Sequence, residues 1–404
     1  MIVNPKTLVY YVFLVSGAVS GCGDGSEDRL VSSTSTATTI DPTGVLFQNN
    51  NLLENATRSD TLNVQKEVQG LRVTLNACSQ SMTNMSKNGI RVRLLQNGNE
   101  IASKSQSYDS ESVTGTPIPC HEHVIDFPAI WLKSGDSISM ETTVTRGDYR
   151  NDVNNETVSV DDGTSLKQES CAAYATLPFN GGFLSNNIWG GVPVQQCVFS
   201  RADGSFGWKS EWQPTADSAT NFPEAVCGRK PWDAKSSTTL LPVALSVLAK
   251  TPLVVTWDIE SHGTGKHKLA LEGWITSGMT PTPETIVAEV MVVPSATGMV
   301  PHGTQVESVT PNIDGALFDL YRGTRSDAKA SWTFFTLVPR SSAPTQGSVD
   351  FGKVLTWLAD NGYLASTAAL ASVEFGDEIM SGRIRTVLNK YAVTLGQQSV
   401  CQLP

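Results

Sequence analysis

In "ETIVAEVMVVP", residues 284–294, one glutamate, Glu289, stands among Ile286, Val287, Val290, Val292 and Val293. Branched apolar residues without helical spacing read as a buried β-strand. An ionised carboxylate there is costly unless something solvates it, pairs with it or uses it. A strand with one wet face would be the plain explanation. Alternation argues otherwise, because it puts Glu289, Met291 and Val293 on the same face. A carboxylate over an apolar floor suits a cleft built for nucleophilic or acid–base chemistry. Two other clusters promise less. In "CHEH", residues 120–123, a strand would put His121 and His123 on one face, but no second ligand group follows and Cys120 has a disulfide to make. No metal is expected there. "HGTGKHK", residues 262–268, reads as a turn, since no helix start follows its glycines as a phosphate loop requires. Trp208, Trp212, Trp232, Trp257 and Trp274 divide between core and binding platform.

The elements that must position these groups come from a chain of 404 residues, long enough for two or three domains. It is 40% hydrophobic and 17% charged with 33 glycines, which describes a globular, turn-rich protein. Its formal charge is 29 − 39 = −10. No basic patch interleaved with aromatics occurs, and nucleic acid is excluded as an expected partner. Residues 1–21 read as a signal peptide: one Lys, then an apolar run from Leu8 to Val19 too short to span a bilayer. The ending "VSGC" resembles a bacterial lipobox, with Cys22 as the lipidated residue; the alternative is an ordinary secretion signal with a chance cysteine. Gly23 in place of Asp favours the outer membrane. The expected location is therefore a membrane-anchored, exported lipoprotein, at the outer membrane, cell surface or periplasm.

Seven cysteines are odd for an exported chain, and setting Cys22 aside leaves Cys78, Cys120, Cys171, Cys197, Cys227 and Cys401. Proximity in sequence pairs Cys78 with Cys120 and Cys171 with Cys197, leaving Cys227 and Cys401 over. Residues 22–43 are Ser/Thr-rich and read as a tether with a reach of roughly 25 Å. Residues 44–155 hold short β-like runs such as "GLRVTLNAC" and "GIRVRLLQNG", the pattern of a β-sandwich. No aromatic platform is evident in them, so a carbohydrate-binding role is open. A polar linker is expected at 156–169. Residues 170–404 are again mostly strands, with one amphipathic helix: Phe351, Val354, Leu355 and Leu358 share a face, Ser348 or Asp350 caps the start, and Asn361-Gly362 ends it.

This last region resembles glycoside hydrolase family 12, the jelly-roll endo-β-glucanases. The likeness rests on ordered motifs: Cys171 and "LSNNIWGG", then Cys197, "FGWKSEW", "NFPEAV", "LALEGWIT", "AEVMVV", "GALFDLYRG" and "VEFGDEIMSG". The resemblance implies an all-β chain, an N-terminal sandwich followed by a concanavalin-like jelly roll. It also implies Glu289 as nucleophile, Glu378 as general acid/base, and Glu272 as the carboxyl hydrogen-bonded to the nucleophile. Asn187, Trp189 and Met291 match sugar-contacting positions. In a retaining glycosidase the two carboxyls flank the scissile bond, and the like charge of Glu289 is expected to raise the pKa of Glu378. Asp377, beside it, is expected to raise it further. The family's Trp two residues after Met291 is Val293, which would remove a stacking platform.

The activity implied is a retaining endo-β-1,4-glucanase acting as a monomer on a β-glucan, with no cofactor. Two other readings stay open: a non-catalytic polysaccharide-binding lipoprotein, and a hydrolase specific for xyloglucan or mixed-linkage glucan.

Overall fold

A computed structural model describes residues 38–40, 45–46, 57–79, 85–111, 121–146, 151–161, 165–214, 219–326, 330–341 and 345–404. Cys22, the signal peptide, most of the tether and the Cys78–Cys120 pairing lie outside the residues so described. The chain divides into two compact units, Met1–Thr164 and Ser165–Pro404.

The first unit is a sandwich of a five-stranded and a four-stranded sheet. Strand Thr57–Val64 alternates buried and more exposed residues along its length, the signature of a sheet with one face on a core. Leu62, Val73, Leu75, Val92, Leu94, Phe127 and Met140 fill that core. Strands Met85–Gln96 and Asn99–Glu111 form a hairpin. Its Asn97-Gly98 turn has φ of 52° and 78°, the double positive φ that closes a two-residue hairpin without splaying the strands. Two boundaries differ from the sequence reading. Strand Asn151–Val160 pairs with Leu71–Ser79, so the expected linker at 156–169 starts inside the sandwich. Its polar residues mask the alternation that buries Val158. Likewise Thr38–Ile40, counted with the tether, pairs in parallel with Thr57–Val64.

Within the second unit the strands are numbered β1 (Gly182–Ile188), β2 (Gln195–Arg201), β3 (Phe206–Trp212), β4 (Asn221–Gly228), β5 (Leu253–Thr276), β6 (Ile286–Thr297), β7 (Ala316–Ser326), β8 (Ser331–Pro339) and β9 (Ala369–Leu395). β5 and β9 pair antiparallel from Leu253↔Leu395 to Thr276↔Ala369. β9 also pairs with β3 through its C-terminal half and with β4 through its N-terminal half. On the other side β6 follows β5, β8 follows β6 in parallel, and β7 closes on β8.

Such long strands must bend. Gly265 and Gly382 face each other in the register with φ of 111° and 95°. A Cβ on either would strike a backbone carbonyl of the opposite strand, Ser381 or Thr264. Only glycine allows that left-handed conformation and that approach. "HGTGKHK" is therefore the bend in the middle of β5, not a turn.

The helix forms as expected over Phe351–Asp360, where Asp350 accepts a hydrogen bond from the Lys353 backbone N–H. Its Phe351, Val354, Leu355 and Leu358 are fully buried beside Val290, Val292, Leu271 and Phe335, each contributing about 1.5–3 kcal/mol. A one-turn helix, Leu245–Leu248, adds to the single helix read from sequence. Disulfides join Cys171 to Cys197 and Cys227 to Cys401.

Candidate active site

β5 runs between β9 and β6, and its register sets the candidate site. Lys268 pairs with Glu378 and Glu272 with Glu374 across to β9. Glu272 pairs with Met291 and Trp274 with Glu289 across to β6. The period of two then puts Lys268, Glu272, Trp274, Glu289, Met291, Glu374 and Glu378 on one face, since Leu271, Val290 and Phe375 point into the opposite core. Glu289 and Glu378 are each 3% exposed. The strands flanking β5 bring the two carboxyls to the same face of the sheet.

Glu289 is held by Trp332 of β8, whose Nε1 donates to Oε2 at 2.9 Å. Trp332 stands edge-on to Trp274, which stands edge-on to Trp232. Burial raises the Glu289 pKa, Arg325 and the Trp332 bond oppose it, the charge of Glu378 adds to it, and the result lies above the usual carboxylate value. Glu272 lies close enough to feel the charge of Glu289. Among the described residues, however, the hydrogen bond onto Glu289 comes from Trp332 and not from Glu272. Burial, with Glu289 and Glu374 adding like charge, holds Glu272 well above the usual range.

Glu378 departs from expectation. Its Oε2 is 2.7 Å from Lys268 Nζ and 3.6 Å from His302 Nε2. Burial works to raise its pKa, but Lys268 and His302 outweigh burial and bring it down to about 2. The expected rise from like charge is thus overturned by a buried cation. Asp377 does not contribute as foreseen either, because it points to the other face. There its Oδ2 accepts hydrogen bonds from Trp208 Nε1 and Thr386 Oγ1, both at 2.7 Å.

Behind Glu272 lies a second charged group. Lys230 Nζ is 2.7 Å from Glu224 Oε1 and 3.0 Å from Glu374 Oε2, both carboxylates being fully buried. Asn187 Nδ2 donates to Glu224 Oε1 at 2.9 Å, so this expected sugar contact is tied into that group. Burial keeps Glu224 well above the usual carboxylate range even beside Lys230.

The apolar part of the face also differs from the sequence reading. Met291 is buried and lies 3.7 Å from Lys268 Nζ through its sulfur. Val293 is buried with Met291, Ala270 and Phe222. No vacated platform is left at 293, because neighbouring side chains fill it. Val293→Trp is therefore expected to overpack this cluster and lower stability by about 1–3 kcal/mol. Chemical denaturation checks this, and tighter glucan binding at unchanged stability would contradict it. Trp189 and Trp232, each 45% exposed, are the tryptophans free to meet a sugar, whereas Trp208, Trp212, Trp257 and Trp274 are buried.

Lys268, His302, Lys230, Glu374 and Trp332 were missed from sequence. For Lys268 a signal existed: had "HGTGKHK" been read as strand, period two would have put it in line with Glu272.

No family model and no curated protein matches this sequence. Solved structures do. The native family 12 xyloglucanase from Bacillus licheniformis is 20% identical, with a TM-score of 0.52 over 56% of this chain and 100% of that one. The same organism's family 12 xyloglucanase in complex with ligand is 21% identical, with a TM-score of 0.52 over 56% of this chain and 99% of that one. The chain carries the family 12 fold. Within that all-β jelly roll, Glu289 and Glu378 stand on the strands to either side of β5, which itself brings Lys268 to Glu378.

Proposed function

We propose that the second unit is a retaining endo-β-1,4-glucanase. The observation that carries this reading is the pair Glu289 and Glu378, buried on one face of a family 12 fold from the two strands that flank β5. In the first step the Glu289 carboxylate attacks the anomeric carbon and forms an ester. The bond to the leaving oxygen breaks as Glu378 gives that oxygen its proton. In the second step Glu378, now a carboxylate, takes a proton from water, whose oxygen displaces Glu289 with net retention. Trp332 holds the Glu289 carboxylate in place before the first step. The exposed faces of Trp189 and Trp232 offer stacking surfaces for sugar rings.

Xyloglucan is the first substrate to test, since both similar structures are described as xyloglucanases. The deciding experiment is reducing-end release from carboxymethylcellulose, mixed-linkage β-glucan and xyloglucan, with the product anomer read by NMR. Product of inverted configuration, or no product from any of them, removes the reading. A second reading, a polysaccharide-binding protein without turnover, draws support from the Lys268–Glu378 ion pair. It predicts retention on a glucan gel with no reducing ends released.

We further propose that the mature chain is anchored by lipid at Cys22. Cys22→Ser should then move the protein from the membrane fraction to the soluble fraction. Unchanged fractionation, or a mature N-terminus without lipid mass, would show "VSGC" to be a chance match.

A further inference from the structure

The reading of Glu289 and Glu378 as nucleophile and acid/base is the premise here, and Lys268 bears on it directly. Charged groups approach Glu378 from every side of the site. From β5 comes Lys268, 2.7 Å from Oε2, and from the segment after β6 comes His302, 3.6 Å from the same oxygen. Glu289 acts from β6, with Arg325 of β7 acting on Glu289 in turn. Glu272 lies on β5 beyond Lys268, and Glu374 on β9 is paired with Lys230 together with Glu224 of β4. Asp377 and His267 meet each other on the opposite face. Lys268 itself is 1% exposed, and its other close polar contact is the Met291 sulfur. Among the described residues Glu378 is its one carboxylate partner, and a buried ammonium that leaves such a partner loses most of its solvation.

We propose that Lys268 is a positioning residue that locks the proton state of the pair: it keeps the acid/base carboxyl ionised in the empty site, opposite to the state that starts hydrolysis. Catalysis needs Glu289 ionised and Glu378 protonated. At a pH below the raised Glu289 titration, the locked arrangement holds the same number of protons, placed the other way round. Changing pH between the two titrations therefore cannot convert one into the other; the working fraction is set by the charge of Lys268. Lys268 brings Glu378 down, while burial and the charge of Glu378 keep Glu289 raised although Lys268 also works to lower it. A substrate that draws Lys268 onto one of its own oxygens would release Glu378, which ties turnover to a correctly seated sugar.

The test compares the wild type with Lys268→Met and Lys268→Arg, and with Lys268→Gln should Met impair folding. Glu378 is followed by carbon-13 NMR of labelled glutamate carboxyls, assigned with Glu378→Gln, and kcat/KM is measured against pH. Removing the charge should raise the Glu378 midpoint by about two pH units or more. It should also raise kcat/KM by about tenfold or more across the plateau, since each unit of pKa is a tenfold change in population. Lys268→Arg should keep the midpoint low. A wild-type Glu378 midpoint at the usual carboxylate value, or one that Lys268→Met leaves in place, overturns the lock. If the midpoint moves as expected but no variant cleaves any glucan, the lock stands and the hydrolase reading falls.

Discussion

Glu289→Gln abolishes turnover while leaving the protein folded, with kcat falling on the order of 10^4 to 10^6-fold, the scale seen when a covalent nucleophile is removed. Gln keeps the shape of the side chain and can still meet Trp332 Nε1 through its carbonyl oxygen. It also removes a buried charge, so thermal stability should hold or rise. Glu378→Gln costs less, about 10^2 to 10^4-fold on a natural glucan, and less again on an aryl glycoside whose leaving group needs no proton. Azide separates the two roles. In Glu378→Ala it attacks the anomeric carbon of the glycosyl-enzyme and displaces Glu289, giving a glycosyl azide of retained configuration. In Glu289→Ala it replaces the nucleophile itself and gives the inverted azide. The opposite pairing of variants and products would exchange the roles of the two residues, and near-normal turnover in either Gln variant would remove the site.

Lys230→Met is expected to destabilise the second unit by about 3–5 kcal/mol at neutral pH, the cost of taking one partner from a buried ion group. Lys230 is the cation set between Glu224 and Glu374. Burial works against its charge, yet the two carboxylates hold its pKa above the usual lysine value. Without it, burial favours the protonated form of Glu224 still more. The sign follows from Glu224, whose pKa is raised on folding. A raised carboxyl costs the folded state nothing at a pH below its unfolded value, and the cost grows as pH rises above that value. Denaturant melts should therefore show a large loss at pH 7 and a small one at pH 4. An equal loss at both would mean that packing by the lysine stem, not its charge, holds the site.

Much of the frame was legible in the sequence because it rests on local patterns. The helix at Phe351–Asp360 was readable from four apolar residues on one face and an Asp–Asn-Gly bracket. Glu289 stood out through its strand pattern and Glu378 through the family resemblance, and the structure puts both on one face of the sheet. What escaped notice depends on register and on faces two strands away. Glycines at 263 and 265 read locally as a turn and the one at 382 drew no structural reading, although each permits a backbone-to-backbone bend inside a long strand. That misreading hid Lys268, and with it the cation that brings the Glu378 carboxyl down. Asp377 and Glu378 are adjacent in sequence but lie on opposite sides of β9, so one side chain joins the core and the other the site. Val293 looked like a missing platform because sequence records the loss of a Trp but not which neighbours close over the gap.

The shared pair β5 and β9 also sets when the site can exist. β9 comes late in the chain and docks in the middle of the sheet, between β4 and β5, with β3 beside its other half. Until it arrives, β4 and β5 each present an unpaired edge, and Glu378 and the partner of Lys268 are absent. Contacts so distant in sequence are slow to form, because a long loop must close before any of them is rewarded. Refolding should accordingly proceed through a species with much of its β-structure but no activity, exposed to edge-to-edge association while it waits. Catalytic competence and protection from aggregation would then appear together, in the one kinetic step that seats β9.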